Sequence, residues 1–325
     1  MSSLRLDAPA PPVSPAPARP LRLALCLCPL LLVVVWGLTN RSLAQEGAVR
    51  LARADPWWLL VGGGCTCLGW VAAACVRQGA VPDRLPPGLL LASQFAAGAA
   101  NHALPGGIGA HLVTLRFLRG RGVPPARATA SIALYSLAKT AAKTLVLLVF
   151  LLVFQDTPLL DVIVPDGPPP LPVLAVAVTG VAAAGVLVTV VRPLRRPVTG
   201  LLRTALADAR QLHTRPGRVL ALWGGATAMP LLQGCVLASV AAALGLAVPW
   251  GQVVFAHLAA GTAAGAVPAP GGLAVDAALV FSLAACGAPV AAATATVIGY
   301  RVLTDWLPLL PGTLVLSALI RAKVL

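Results

Sequence analysis

Long apolar runs separated by short polar breaks set the pattern of this chain. The runs fall at about 21–38, 57–75, 88–104, 128–154, 171–191, 219–247, 251–267, 273–287 and 290–320. Several exceed the roughly 18 apolar residues at which a helix becomes a candidate membrane span. Two of them are interrupted in one manner. Asn101 to Gly109 reads NHALPGGIG, and Val267 to Leu273 reads VPAPGGL. A Pro-Gly-Gly sequence cannot continue a helix, because proline lacks the N–H and glycine leaves the backbone loose. The pattern therefore predicts an all-α polytopic membrane protein containing two broken helices.

Loop charge orients the segments, since short cytoplasmic loops collect Lys and Arg. Segment 116–127 carries Arg116, Arg119, Arg121 and Arg127 with no acid, and segment 192–218 carries seven arginines against Asp208. Both are predicted to be cytoplasmic. Segment 155–170 carries Asp156, Asp161 and Asp166 with no base, and is predicted to be external. With the N-terminus inside, a full crossing at 88–104 would place the arginines of 116–127 outside. The conflict disappears if 88–118 enters the membrane, turns at Pro105-Gly106-Gly107 and leaves by the side it entered. By the same parity 251–287 dips in from the opposite face, and Arg321 and Lys323 end inside. The expectation is about six spans plus two re-entrant Pro-Gly-Gly hairpins, with both termini cytoplasmic.

A shift of 165 residues brings the halves into register without gaps. Pro105-Gly106-Gly107 falls on Pro270-Gly271-Gly272, Gly122 on Gly287, Pro124 on Pro289 and Tyr135 on Tyr300. Combined with opposite entry faces, this predicts an inverted repeat with units at about 88–154 and 251–320. Many secondary transporters share that plan, with substrate held near the midplane where broken helices meet.

Composition narrows the function classes. Of 325 residues, 58% are apolar and only 10% charged, against roughly a quarter charged in soluble domains. The net charge of +14 gathers in short loops, which suits anionic lipid headgroups rather than nucleic acid. Residues 1–20, rich in Pro and Ala, are expected to form a disordered cytoplasmic tail ahead of a transmembrane domain at 21–325. Leu21–Leu38 is read as a retained first span rather than a signal peptide. All seven cysteines lie in apolar runs and are read as small helix filler. Gly261 and Gly265 form a GxxxG suited to close helix packing. The sequence holds no nucleophile elbow, P-loop or metal-spaced cluster, so neither an enzyme nor a cofactor is expected.

Candidate chemistry lies at the breaks and at charges inside spans. Gly106, Gly107 and Gly109, with Gly271 and Gly272, bare the backbone where a helix N-terminus could hold an anion. Lys139 and Arg301 stand deep in their runs, and a charge at that depth is costly and so usually functional. They are the expected headgroup ligands. Asp305 is spaced one turn from Arg301 and could pair with it. His111 and Asp276 occupy equivalent positions after the two breaks and are candidates for gating or coupling. His213 and His257 are read as ordinary.

With these motifs in place the chain resembles the lysylphosphatidylglycerol synthase transmembrane family, the flippase-like membrane part of the multiple peptide resistance factor, without the synthase domain. The residues that carry the likeness are Leu104-Pro-Gly-Gly-Ile-Gly109, the segment Arg116–Val123, Pro270-Gly-Gly-Leu273 with Asp276, and Arg301 followed by Pro308 and Gly312. The resemblance implies a bacterial inner-membrane protein that moves lipid between leaflets. The expected partners are membrane lipids with anionic headgroups. The alternatives are a membrane scaffold serving a separately encoded lipid-modifying enzyme or glycosyltransferase, and a transporter of small anions.

Overall fold

The computed structural model describes residue 49 and residues 53–81, 83–103, 108–154, 215–265 and 272–322. These form helices and connecting turns, with no strand among the described residues. The helices are α1 (Pro56–Gly79), α2 (Pro87–Ala103), α3 (Ile108–Gly120) and α4 (Pro125–Val153), then α5 (Pro216–Ala243), α6 (Trp250–Ala263), α7 (Leu273–Ala285) and α8 (Val290–Arg321). Helices α1, α4, α5 and α8 are long and apolar enough to cross a membrane. They match the predicted spans at 57–75, 128–154, 219–247 and 290–320. The predicted spans 21–38 and 171–191, the tail 1–20, the acidic loop 155–170 and most of the basic loop 192–218 lie outside the described residues.

Local sequence explains the helix ends. Helices α1, α2, α4 and α5 each begin on a proline, whose missing N–H is an orphan at that position in any case. At α1 the Asp55 side chain also accepts from the Trp57 N–H at 2.9 Å. Gly122 and Gly287 follow α3 and α7 with φ of 80° and 91°. Each starts a pair of tight bonds, with Gly122 and Val123 donating to Arg119 and Leu118, and Gly287 and Ala288 donating to Ala284 and Leu283. This glycine cap closes a helix through the left-handed region.

The 165-residue register therefore extends to local structure. Helices α3 and α7 are both 13 residues long with bounds that superimpose under the shift. Pro124 and Pro289 precede the next helix with nearly equal dihedrals, φ −56°, ψ 144° and φ −58°, ψ 136°.

Helices α1 and α5 run antiparallel in backbone-close contact. A Cβ added at Gly79 would lie 2.6 Å from the Leu222 nitrogen, and one at Gly225 would lie 2.9 Å from the Ala72 carbonyl oxygen. Small residues permit that approach. At the far end the Asp55 N–H donates to the Ala243 carbonyl at 3.0 Å. Helix α2 folds back through α3, since Leu85 and Leu90 before and within its start share a cluster with Phe117 and Leu118 at the end of α3. A Cβ at Gly109 would overlap the Ala100 carbonyl, so the two arms touch backbone to backbone beside the break. Helix α6 similarly packs on α7, and the last part of α8 lies along α2 with Gly312 against Phe95 and Ala99.

One end of this bundle gathers Arg84, Arg116, Arg119, Arg121, Arg127, Arg215 and Arg218 around the close of α1, the α3–α4 turn and the start of α5. The clustering of Val81 and Leu85 with Phe117 and Val123 and a hydrogen bond from Arg218 to the Val81 carbonyl fix these elements together. The opposite end holds the start of α1, Phe154 at the close of α4 and the α5–α6 link, where Trp58 meets Trp250 at 5.4 Å.

Candidate functional site

A cluster of charged side chains forms where the start of α7 meets the middle of α8. Pro308 cannot donate to the Thr304 carbonyl, and its ring collides with that oxygen in a regular helix. Just before it α8 widens into a π-helical turn over Val302–Trp306, a distortion common at functional sites. Arg301 enters this turn and Asp305 lies inside it. The Arg301 Nε donates to Asp276 Oδ1 at 2.7 Å, its Nη1 donates to Asp305 Oδ2, and its Nη2 reaches the Gly272 carbonyl at 3.4 Å. The expected Arg301–Asp305 pair is present, and Asp276 joins it.

Two carboxylates thus hold one guanidinium, and the cluster carries one net negative charge when all three groups are ionised. Gly272 caps α7 in the left-handed conformation at φ 77°. A Cβ there would stand 2.6 Å from Arg301 Nη2, so both the conformation and the space call for glycine. Gly272 meets the cluster through its carbonyl, as an acceptor for a cation. Beside Arg301, Tyr300 is buried with its ring edge-on to His257 at 5.5 Å. His257 is itself buried, and its Nδ1 has no hydrogen-bond partner among the described residues.

A second charged group surrounds Tyr135, the repeat equivalent of Tyr300. The Arg77 guanidinium lies 4.1 Å from the Tyr135 ring centroid and the Lys139 ammonium 5.5 Å from it, within cation–π range. Arg77 is only 5% exposed, and its Nε and Nη1 have no hydrogen-bond partner among the described residues. An isolated buried charge is expensive, and among the described residues the face of Tyr135 is what offsets that of Arg77. One turn beyond Lys139, half-buried Lys143 places its Nζ 3.0 Å from where a Cβ on Gly261 would sit. The first glycine of the GxxxG therefore leaves room for a lysine ammonium. Among the described residues no carboxylate pairs with Arg77, Lys139 or Lys143.

The structure brings Gly272, Asp276, Arg301 and Asp305 together, while Lys139 belongs to the separate Tyr135 group. Gly109 is buried in the first turn of α3, where its contact with Ala100 gives it a packing role. His111 is exposed on α3, and no contact joins it to Asp276 among the described residues. Gly106, Gly107 and Gly271 lie outside the described residues. Sequence reading missed Arg77, Tyr135, His257 and Tyr300 as parts of a site. Arg77 falls inside the helix that continues the 57–75 run, just beyond the last residue of that run. The two tyrosines, the only ones in the chain, were already aligned by the 165-residue shift, and that coincidence was the available signal. Five described cysteines are free thiols, and no group of metal-ligating residues occurs among the described residues.

Comparison with known families gives one match that spans most of the chain. The family described as lysylphosphatidylglycerol synthase TM region matches residues 21–312. No curated protein matches the chain.

Proposed function

Because the chain belongs to the lysylphosphatidylglycerol synthase TM-region family, we propose that this membrane protein binds a phospholipid or lipid-linked anionic headgroup inside the bilayer and passes it between leaflets. The observation that carries the reading is buried Arg77, whose Nε and Nη1 have no hydrogen-bond partner, set beside half-buried Lys143 and exposed Lys139, with no carboxylate paired to any of the three among the described residues. A phosphate supplies the missing counter-charge through charge-assisted hydrogen bonds.

In this reading the pairs α2–α3 and α6–α7 are re-entrant hairpins that enter from opposite faces and form an inverted repeat. Their lengths support it. Helices of 17, 13, 14 and 13 residues reach about 20–26 Å at 1.5 Å per residue, short of the roughly 30 Å hydrocarbon core. The arginine-rich end of the bundle is then the cytoplasmic one. Headgroups enter past Arg77 and Lys139, and Arg301 exchanges a carboxylate for a phosphate oxygen as the headgroup passes. Gly272, at the start of α7, keeps the backbone close to that route, and His111 and Asp276 gate it.

Reconstituted vesicles test this. Lys139→Gln and Arg301→Gln are each expected to abolish leaflet transfer of a fluorescent anionic phospholipid while the protein still inserts. Unchanged transfer in both variants would remove these residues from the route. One observation favours the scaffold reading, namely that Arg301 is already held by two carboxylates, as a structural ion cluster would be. Transfer by the purified chain alone separates the two readings, because a scaffold moves nothing.

A further inference from the structure

A cavity of about 200 Å³ opens between α1, α2, α5 and α8, and Thr304, in the π-helical turn that follows Arg301, is part of its lining. Its lining includes Thr66, Trp70, Gln94, Gln233 and Thr304. Thr66 and Gln233 fall near the middle of two spans, Pro56–Gly79 and Pro216–Ala243. The cavity is thus at membrane depth, where irregular or polar surface persists only if it is buried or lines a cavity.

Each of the four helices contributes an uncharged hydrogen-bonding side chain, Thr66, Gln94, Gln233 and Thr304. Thr66 and Thr304 donate to the Gly62 and Tyr300 carbonyls at 3.0 and 2.9 Å, which leaves their oxygens as acceptors. The Gln94 Nε2 has only a long 3.3 Å bond to Ser93, and Gln233 makes no hydrogen bond among the described residues. Carboxamides both donate and accept, which matches hydroxyl groups that do the same. No charged residue lines the cavity. Trp70, stacked on Phe95 with centroids 3.9 Å apart, forms a firm aromatic wall of the kind that supports the C–H face of a sugar ring. The volume equals that of about seven waters at ~30 Å³ each, enough for one ring-sized polyol.

We propose that this cavity binds the hydroxylated, uncharged part of the lipid headgroup, a single sugar or polyol ring, beside the charged groups that take its phosphate. The inference rests on the lipid-headgroup reading above and names the substrate class for it. Preformed concave sites combine apolar walls with a few convergent polar groups in this way. The cavity supplies specificity among anionic lipids, and the cations supply attraction to all of them.

Two phosphodiester lipids of equal charge test the proposal, phosphatidylinositol with its ring of hydroxyls and phosphatidylmethanol with a methyl group. Each is titrated into the purified full chain in neutral detergent and followed by thermal stabilisation, with free inositol as a third probe. Phosphatidylinositol is expected to bind at least fivefold more tightly. Gln233→Leu and Thr304→Val, which leave Arg301 and Asp305 in place, should each erase most of that preference without weakening phosphatidylmethanol. Equal binding of the two lipids by the native protein overturns the polyol site and leaves the anionic-headgroup reading standing. Failure of both lipids to bind overturns both readings. Stabilisation by free inositol without a preference between the lipids makes the cavity a site for soluble polyols and overturns its assignment to a headgroup.

Discussion

Removing the positive member of the Arg301 cluster should cost more stability than removing either negative one. Arg301→Gln leaves Asp276 and Asp305 facing each other without the guanidinium that now bonds both. Breaking a fully buried ion pair from one side costs about 3–5 kcal/mol. The side chains here are 22% and 23% exposed, so screening lowers the expected loss to about 2 kcal/mol. Asp276→Asn acts differently. The amide oxygen can still accept from Nε, and Arg301 with Asp305 becomes a neutral pair, so the cost falls to about 1 kcal/mol or less. The double variant removes one charge of each sign and should be more stable than Arg301→Gln alone. The coupling expected from the cycle is about 1 kcal/mol. Thermal unfolding in detergent reads this out through a thiol-reactive dye, because Cys65, Cys75, Cys235 and Cys286 are free and partly shielded and become reactive on unfolding. At roughly 2–4 °C per kcal/mol, Arg301→Gln should lower Tm by about 4–8 °C. Equal losses for Arg301→Gln and Asp276→Asn, or a double variant equal to the sum of the singles, would refute the charge argument.

Other outcomes follow from particular contacts. Arg77→Met replaces a buried guanidinium lacking partners at Nε and Nη1, so thermal stability should rise by about 1 kcal/mol or more while leaflet transfer falls. A loss of stability would mean that Arg77 already has its counter-charge. Gly109→Ala drives a methyl group into the Ala100 carbonyl and should cost about 1–3 kcal/mol, whereas Gly88→Ala, with open space around it, serves as the neutral control in the same unfolding assay. A cysteine at Gly120, in a background without native cysteines, should react with an impermeant maleimide only from the cytoplasmic side. Labelling from outside would remove the first re-entrant hairpin.

Helix positions were legible because the signals are local. Apolar run length, proline at helix starts and glycine at helix ends act within a few residues, and four predicted spans match described helices within a few residues at most of their ends. The 165-residue register was legible for the same reason, since Gly122 and Gly287 adopt one cap geometry from one local sequence. Arg301 with Asp305 was readable as an i,i+4 pair on one helix.

The remaining site was not legible, because its partners come from distant parts of the chain. Asp276 reaches Arg301 across 25 residues, and Arg77 meets Tyr135 from another helix. No periodicity records such meetings, as they depend on which helix faces approach. The approach itself is set by glycines such as Gly79 and Gly225, whose missing Cβ atoms let α1 and α5 close on each other. The Asn101–Gly109 and Val267–Leu273 breaks could be found by reading, and so could the charges near them. Tertiary structure decided that Gly272 offers a carbonyl to Arg301, that Gly109 seats α3 on α2, and that Arg77, Lys139 and Lys143 have no carboxylate partner among the described residues. Sequence fixes where a helix begins and ends through short-range sterics and hydrogen bonds. Which charge finds a partner depends on long-range packing, and only the folded chain supplies that.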